Sequence, residues 1–129
     1  MSREESNPEN NAYKALSEYF KLISHPVRLK ILEILRAESA CVCHINAILE
    51  LRQAYVSQQL AVLRNGGLIE HHKDGWNVYY SIADPSVYTI IDLAWKTVDP
   101  ESLLEQDDLS VPDNCDCPRC KNHHDEDCC

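Results

Sequence analysis

The chain has 129 residues, which is enough for one hydrophobic core but not for two ordinary domains. It contains seven cysteines and carries a formal net charge of −9. No apolar run approaches the length that spans a bilayer, and residues 1–11 are polar and acidic, unlike a signal peptide. We therefore expect a cytoplasmic protein that does not associate with membranes.

The negative charge is concentrated at the two ends of the chain. Residues 99–129 carry ten acidic and two basic side chains, whereas residues 13–98 carry nine basic and eight acidic ones. The central part is nearly neutral, which permits nucleic-acid binding without indicating it. We predict a disordered arm over residues 1–11, one folded domain over residues 12–98 and an acidic, cysteine-rich tail over residues 99–129.

Hydrophobic periodicity predicts four helices in the first half of the chain. Apolar residues over 12–23 follow one helical face. A second helix over 26–35 begins at a proline, and Ser24 could cap this helix. The third helix covers residues 41–51, and the fourth covers residues 52–65.

The pattern changes to alternation after Gly66 and Gly67. Residues 78–82 alternate as in a half-buried strand, residues 68–72 are a plausible partner, and Lys73-Asp74-Gly75 has turn chemistry. Asp84 and Pro85 then start a last helix that reaches residue 98. The fold class predicted is mainly α with a small β-hairpin, arranged as a winged helix-turn-helix.

The fourth helix is the candidate recognition helix. If Val56, Leu60 and Leu63 face the core, a step of about 100° per residue places Gln58 on the opposite side. Glutamine pairs with adenine edges, and serine with bases or phosphates. The alternative is that these polar residues only solvate the outer face of an ordinary helix. Three basic residues are suited to contact backbone phosphates, namely Arg52, Arg64 and Lys73.

Five segments between residues 12 and 97 resemble the ArsR/SmtB family of metalloregulatory repressors. They are residues 24–32, 41–43, 55–60, 63–69 and 74–80. The resemblance implies a homodimer joined by its first and last helices, which binds double-stranded operator DNA without metal and releases it when an inducer ion binds. By position, it places residues 73–77 at the wing tip and five residues in the recognition helix, namely Gln53, Tyr55, Ser57, Gln58 and Gln59.

Cys41 and Cys43 are the first candidates for the inducer site. In a regular helix their side chains point about 200° apart, so they can converge on one ion only if the first turn is frayed or extended. A helix N-terminus also favours the thiolate form of cysteine. A similar Cys-Val-Cys binds the soft ion in arsenic- and cadmium-sensing members of the resembled family. Arsenic repressors of that family with every ligand on this helix have a third cysteine where this chain has Asn46.

The missing ligands are expected from the tail. We predict that Cys115, Cys117 and Cys120 contribute thiolates, which suits As(III) above all and also Cd(II) or Pb(II). Whether the tail crosses between protomers, and whether His123, His124, Cys128 and Cys129 take part, stays open. The tail could instead hold Zn(II) as an independent site, or have no role in sensing.

Other functions are weaker interpretations of the same cysteines. A redox sensor on the same scaffold would use cysteine oxidation in place of ion binding. A metal-buffering protein would never contact DNA. A thiol enzyme is disfavoured, because the Cys117–Cys120 pair lies in an acidic tail without the helix N-terminus that activates such a motif. We therefore predict that the chain is not an enzyme.

The histidines offer few further ligands. The last helix has Asp92 but no histidine, so the zinc or nickel site of other family members is not expected there. His25 precedes a proline and suits a capping or packing role, and His71 and His72 are expected at the surface of the wing.

Overall fold

The computed structural model describes residues 8–98, which form five helices and three short strands. No helix among these residues is both long and apolar enough to cross a membrane. In chain order the elements are α1 (Pro8–Ile23), α2 (Pro26–Ala37), β1 (Ala40–Cys41), α3 (Val42–Leu49), α4 (Gln53–Asn65), β2 (Ile69–Asp74), β3 (Asn77–Ile82) and α5 (Val87–Val98).

This order confirms the predicted winged helix-turn-helix. The first helix begins at Pro8, earlier than the predicted boundary at residue 12. The fifth begins at Val87 rather than at Pro85, and Asp84 still caps this end because its Oδ1 accepts a hydrogen bond from the Ser86 backbone at 3.1 Å. Residues 1–7 and the tail from residue 99 lie outside the described residues.

The boundary between α1 and α2 is fixed by His25. Its Nδ1 accepts a hydrogen bond from the Val27 backbone N–H at 3.2 Å, and Pro26 occupies the first turn of α2. Capping therefore comes from His25 and not from Ser24, while the predicted capping role of His25 is confirmed.

The predicted two-stranded hairpin is part of a three-stranded sheet. Ala40 and Cys41 pair antiparallel with Tyr80 and Tyr79, which gives the strand order β1-β3-β2. The prediction of helix from Cys41 was therefore wrong by one residue, because Cys41 is extended and the helix begins at Val42. A two-residue strand has no periodicity of its own that a sequence pattern could reveal.

The hydrophobic core lies between α2, α3, α4 and the inner side of the sheet. Its fully buried members include Ile31, Leu32, Ile45 and Leu60, together with Val87 from α5. The outer faces of α1 and α5 are only partly covered. Large apolar side chains stay exposed on both helices, namely Tyr13, Leu16 and Phe20 on α1 and Leu93, Trp95 and Val98 on α5.

Helix α5 is attached to α2 by polar contacts as well as by packing. The Tyr88 hydroxyl donates a hydrogen bond to the Leu32 carbonyl at 2.5 Å, and Arg36 Nη2 contacts Asp92 Oδ1 at 2.8 Å. The Arg36 guanidinium also lies 4.3 Å from the centroid of the Tyr88 ring. Burial raises the pKa of Tyr88 to about 12, so its hydroxyl remains a donor at neutral pH.

Candidate nucleic-acid interface and thiol site

Helices α3 and α4 form the helix-turn-helix, and a short turn sets the angle between them. Glu50 adopts a left-handed conformation with φ of 55°, and its backbone N–H donates to the Asn46 carbonyl at 2.8 Å. This hydrogen bond ends α3, and the chain turns through Leu51 and Arg52 into α4. The second helix is thus held at the surface of the domain with one side free.

The side of α4 that faces the core is the side that the sequence analysis predicted. Val56, Leu60 and Leu63 are fully buried. Gln53, Ala54 and Gln58 are exposed on the opposite side, and Ser57 and Ala61 are half-buried at its border. The open side therefore presents small and amide side chains, which can approach base edges closely.

Gln59 lies on the buried side and has a partner inside the protein. It is only 8% exposed, and its Oε1 accepts a hydrogen bond from Arg28 Nε at 2.8 Å. Arg28 Nη1 also donates to the carbonyls of Lys21 and Leu22, at 3.1 and 3.2 Å. One guanidinium therefore joins the C-terminal end of α1, the start of α2 and the middle of α4.

Tyr55 is the second point at which α4 is held. Its hydroxyl lies 3.3 Å from His25 Nε2. Because His25 Nδ1 accepts the capping hydrogen bond from Val27, the neutral ring carries its hydrogen on Nε2 and donates it to Tyr55. Tyr55 and Gln59 thus connect α4 to the rest of the domain, whereas Gln53 and Gln58 are exposed and Ser57 is half-buried.

The three basic candidates are spread along one route over the surface. Arg52 is exposed at the N-cap of α4, and Lys73 is exposed near the end of β2. Arg64 lies between them in the last turn of α4, with Nη1 3.4 Å from His71 Nδ1 on β2. Because Arg52 and Arg64 lie at opposite ends of α4 and Lys73 lies on β2, the three suit contacts to separate phosphates rather than to one anion.

The wing is formed by β2 and β3, with ring pairs across its strands. His71 faces Tyr80 and His72 faces Tyr79, with ring centroids 5.9 and 5.7 Å apart. Both histidines are exposed, as predicted. The tip is a two-residue turn, Gly75-Trp76, rather than the predicted Lys73-Asp74-Gly75, since Asp74 and Asn77 still pair across the strands.

Cys41 and Cys43 lie at the junction between strand β1 and helix α3. Cys41 is 1% exposed and extended, with φ of −85° and ψ of 166°, whereas Cys43 is half-buried in the first turn of α3. The extended chain that the sequence analysis required for convergence therefore covers only Cys41, because Val42 and Cys43 already belong to α3. Both cysteines are disulfide-bonded in this structure.

The surroundings of this pair accommodate a soft ion only in part. Asn46 lies one helical turn after Cys43, and its buried Oδ1 accepts no hydrogen bond from the described residues. His44 is buried beside the pair. Within residues 8–98, no three His, Cys, Asp or Glu side chains form a group able to hold a metal ion. The reduced pair supplies sulfur ligands of the right chemistry but needs at least one more.

Comparison with known proteins identifies the family. The profile described as "Bacterial regulatory protein, arsR family" matches residues 25–71. The crystal structure of Rv0081 from Mycobacterium tuberculosis superposes with a TM-score of 0.64 and 34% identity, covering 78% of this chain and 96% of that one. The chain belongs to the ArsR family. Proteins of this family are DNA-binding transcriptional regulators.

Two further relatives and one further solved structure are also similar to this chain. The transcriptional repressor SmtB homolog of Synechocystis is 35% identical over 75 residues, 58% of this chain and 57% of that protein. The cadmium resistance regulatory protein CadC of Listeria innocua is 33% identical over 94 residues, 72% of this chain and 79% of that protein. A DNA-binding domain from Mycobacterium bovis, described as homodimeric, matches with a TM-score of 0.66 and 25% identity, covering 74% of this chain and 89% of that one.

The structure places some residues of this ArsR-family chain in environments that the sequence analysis did not predict. Gln59 follows Val56 by three positions and precedes Leu63 by four, so helical spacing alone could have placed it on the buried side. Nothing in the sequence indicated that Arg28 would reach it. The sequence analysis placed Trp76 at the wing tip, within residues 73–77, but gave it no role of its own. The tail candidates Cys115, Cys117 and Cys120 lie outside the described residues.

Proposed function

We propose that this ArsR-family protein is a homodimeric repressor that binds operator DNA when metal-free and leaves it when its thiolates bind a soft ion. The observation that carries the proposal is the position of Cys41. This residue pairs with β3 of the wing and also caps α3, the helix that precedes α4. A ligand that draws Cys41 and Cys43 together therefore acts on the wing through the pairing of β1 with β3, and on α4 through the short turn that follows α3.

DNA contact is supported by the exposed side of α4. Gln53 and Gln58 are exposed amides that suit adenine in the major groove, and Ser57 lies beside them. Arg52, Arg64 and Lys73 supply phosphate contacts on either side. Gln59 and Tyr55 act differently in this proposal, since they hold the helix in place through Arg28 and His25.

Dimer formation is supported by the uncovered apolar faces of α1 and α5. Tyr13, Leu16 and Phe20 are between 49% and 72% exposed, and they border an open groove of about 360 Å³ along α1. Leu93 and Val98 on α5 are 59% and 76% exposed. Burying such apolar surface against a partner contributes roughly 25 cal/mol per Å² of favourable free energy. A second copy of the chain is the partner that the family relationship supports.

The inducer in this proposal is a thiophilic ion, with As(III) favoured and Cd(II) or Pb(II) as further candidates. Three thiolates suit As(III), whereas three or four suit the two divalent ions. Cys41 and Cys43 supply two, and the tail cysteines Cys115, Cys117 and Cys120 are the source we propose for the rest. The relatives named for cadmium resistance and as an SmtB homolog support a metal ion as the ligand class. Zn(II) bound separately in the tail is the competing arrangement.

A DNA-release experiment on matched variants tests this proposal. Operator duplexes would be selected from randomised DNA, and their binding to reduced full-length protein followed by fluorescence anisotropy during titration with As(III), Cd(II), Pb(II) or Zn(II). We expect release of the wild type by a soft ion, and retained DNA binding without release for the Cys41→Ser/Cys43→Ser variant. The Cys115→Ser/Cys117→Ser/Cys120→Ser variant should need a much higher ion concentration. Unchanged release from the first variant would contradict the site.

Redox sensing is the second candidate, and the disulfide-bonded state of Cys41 and Cys43 favours it. Forming one disulfide removes two electrons and two protons from a pair of thiols, and hydrogen peroxide would accept them as its O–O bond breaks to give two waters. Peroxide treatment of the ion-free, operator-bound protein separates the two functions. Release by stoichiometric peroxide, reversed by dithiothreitol, together with no response to any ion, would replace the metal proposal.

A further inference from the structure

Trp76 is the most exposed large apolar side chain of the described residues. It is 91% exposed, at the tip of the wing. The turn contains only Gly75 and Trp76, and Gly75 has a positive φ of 68°, which a glycine adopts readily. The indole is therefore the only side chain of the turn, held beyond the last strand pair, Asp74 with Asn77.

This tryptophan is separate from the apolar faces that we assign to dimer formation. Those faces are on α1 and α5, whereas β2 and β3 pack against α2, α3 and α4. A single indole at the end of a hairpin is also too small to be a self-association surface. Trp76 instead lies on the wing, which adjoins the exposed side of α4.

The wing continues the exposed side of α4. Arg64, in the last turn of α4, contacts His71 on β2 at 3.4 Å across an exposed surface. Asp74, the last residue of β2, lies three positions beyond His71, so the strand extends about 10 Å further at about 3.3 Å per residue, and the turn with the Trp76 indole extends beyond it. Half of a DNA helical turn is about 17 Å. With α4 in a major groove, a hairpin of this length with an exposed indole at its tip suits the neighbouring minor groove.

We propose that Trp76 enters this minor groove and makes the wing selective for A·T base pairs. The edges of A·T pairs show only acceptors there, which match the indole N–H donor, whereas guanine adds an N2 amino group that opposes it. The apolar ring packs against the groove walls and opens a flexible base step. Lys73, three residues earlier, suits a phosphate at the groove edge.

The selected sequence lies about five base pairs from the bases that α4 contacts, since half a turn corresponds to half of 10–10.5 base pairs. This inference rests on the DNA binding proposed above. It adds a second element of sequence choice, made by a residue that contributes nothing to the core.

Selection from randomised duplexes by full-length wild type, Trp76→Ala and Trp76→Phe tests the inference. We expect all three to select the same central motif, because α4 is unchanged. Wild type should also select A·T pairs about five base pairs away, and replacing these by G·C should weaken its binding about tenfold. Trp76→Ala should show neither the preference nor the penalty. Trp76→Phe keeps an apolar ring without the N–H donor, so it should retain affinity but lose most of the discrimination.

Fluorescence gives a direct readout of the contact. Addition of operator should protect the Trp76 indole from acrylamide quenching in wild type, and the Trp76→Phe variant should show no such protected fraction. If wild type selects a central motif and Trp76→Ala selects identical flanks with equal affinity, the inference is wrong while the proposed DNA binding stands. If wild type selects no sequence at all, the proposed function fails first, and the inference fails with it.

Discussion

Neighbouring glutamines on α4 have different environments. Gln58 is exposed, whereas Gln59 is 8% exposed and bonded to Arg28. A buried polar group that loses its partner costs about 1–3 kcal/mol, while an exposed one costs little. Residue type alone therefore does not identify a base-reading side chain, and the two positions should respond differently to the same substitution.

Substitution of Arg28 by alanine should destabilise the domain. It removes the donor to buried Gln59 and two hydrogen bonds to the end of α1, so we expect a loss of about 2–3 kcal/mol in the free energy of unfolding. Urea denaturation followed by circular dichroism measures this loss. Arg28→Lys, which keeps the charge but not the forked donor geometry, should recover only part of it.

A second pair of variants separates structure from recognition on α4. Gln59→Ala should lose about 1 kcal/mol of stability and keep its operator preference. Gln58→Ala should stay within about 0.5 kcal/mol of wild type and bind its operator about tenfold more weakly. Denaturation and anisotropy measured on the same samples check both. Altered base preference in Gln59→Ala with normal stability would show that Gln59 contacts DNA.

At the scale of the secondary-structure elements, the contact between α2 and α5 engages the carboxylate on α5 that could otherwise bind a metal ion. Asp92 is the one acidic side chain on α5, and its carboxylate contacts Arg36 at 2.8 Å. The hydrogen bond from Arg36 to Asp92 is the largest cause of the raised pKa of Arg36, and the guanidinium stays charged at neutral pH. The Asp92 carboxylate is thus engaged by Arg36, and the expectation that α5 carries no zinc or nickel site stays a prediction.

Asp92→Asn therefore tests a structural role against a ligand role. We expect a loss of less than about 1 kcal/mol of stability, because the Asp92 side chain is 52% exposed and exposed ion pairs contribute little. Release of DNA by the soft ion should be unchanged. A large rise in the ion concentration required for release, at normal stability, would assign Asp92 to the metal site. Thr89→Ala, an exposed substitution on the same helix, is the control.

The helices could be predicted from the sequence more completely than the connections between them. Periodic apolar residues such as Val56, Leu60 and Leu63 identify a helix because they bury one face. Strand β1 has two residues, and its position depends on pairing with Tyr79 and Tyr80, almost forty positions away. The contact between Arg28 and Gln59 likewise spans distant segments. Such contacts arise from tertiary packing, which the spacing of apolar residues within one segment does not reveal.

At the scale of the whole molecule, the exposed apolar faces predict self-association. Leu93→Asp introduces a charge at a 59% exposed position on α5, so the monomer should fold normally while dimer formation loses several kcal/mol. Analytical ultracentrifugation should find a monomer, with operator affinity reduced by at least tenfold. Trp76→Asp is the matched control, because it places the same charge on an exposed apolar residue of the wing, and its mass should remain dimeric.

The thiol site is the feature of the whole molecule that the sequence predicts least completely. Cys41 and Cys43 were recognised from their spacing, and the structure adds that Cys41 is extended whereas Cys43 lies in the first turn of α3. The tail candidates Cys115, Cys117 and Cys120 lie beyond residue 98, and an acidic segment with few apolar residues has no periodicity that would fix its position against α3. Their role stays a prediction.

The most direct test of the central claim is the affinity of the reduced, full-length protein for Cd(II), measured by competition with a chelator, without operator and with saturating operator. If the thiol site and the DNA-contacting side are coupled, linkage requires operator to weaken Cd(II) binding by the same factor by which Cd(II) weakens operator binding. We predict a decrease of at least tenfold, absent in Cys41→Ser/Cys43→Ser. Equal Cd(II) affinity in the free and operator-bound protein would contradict the account.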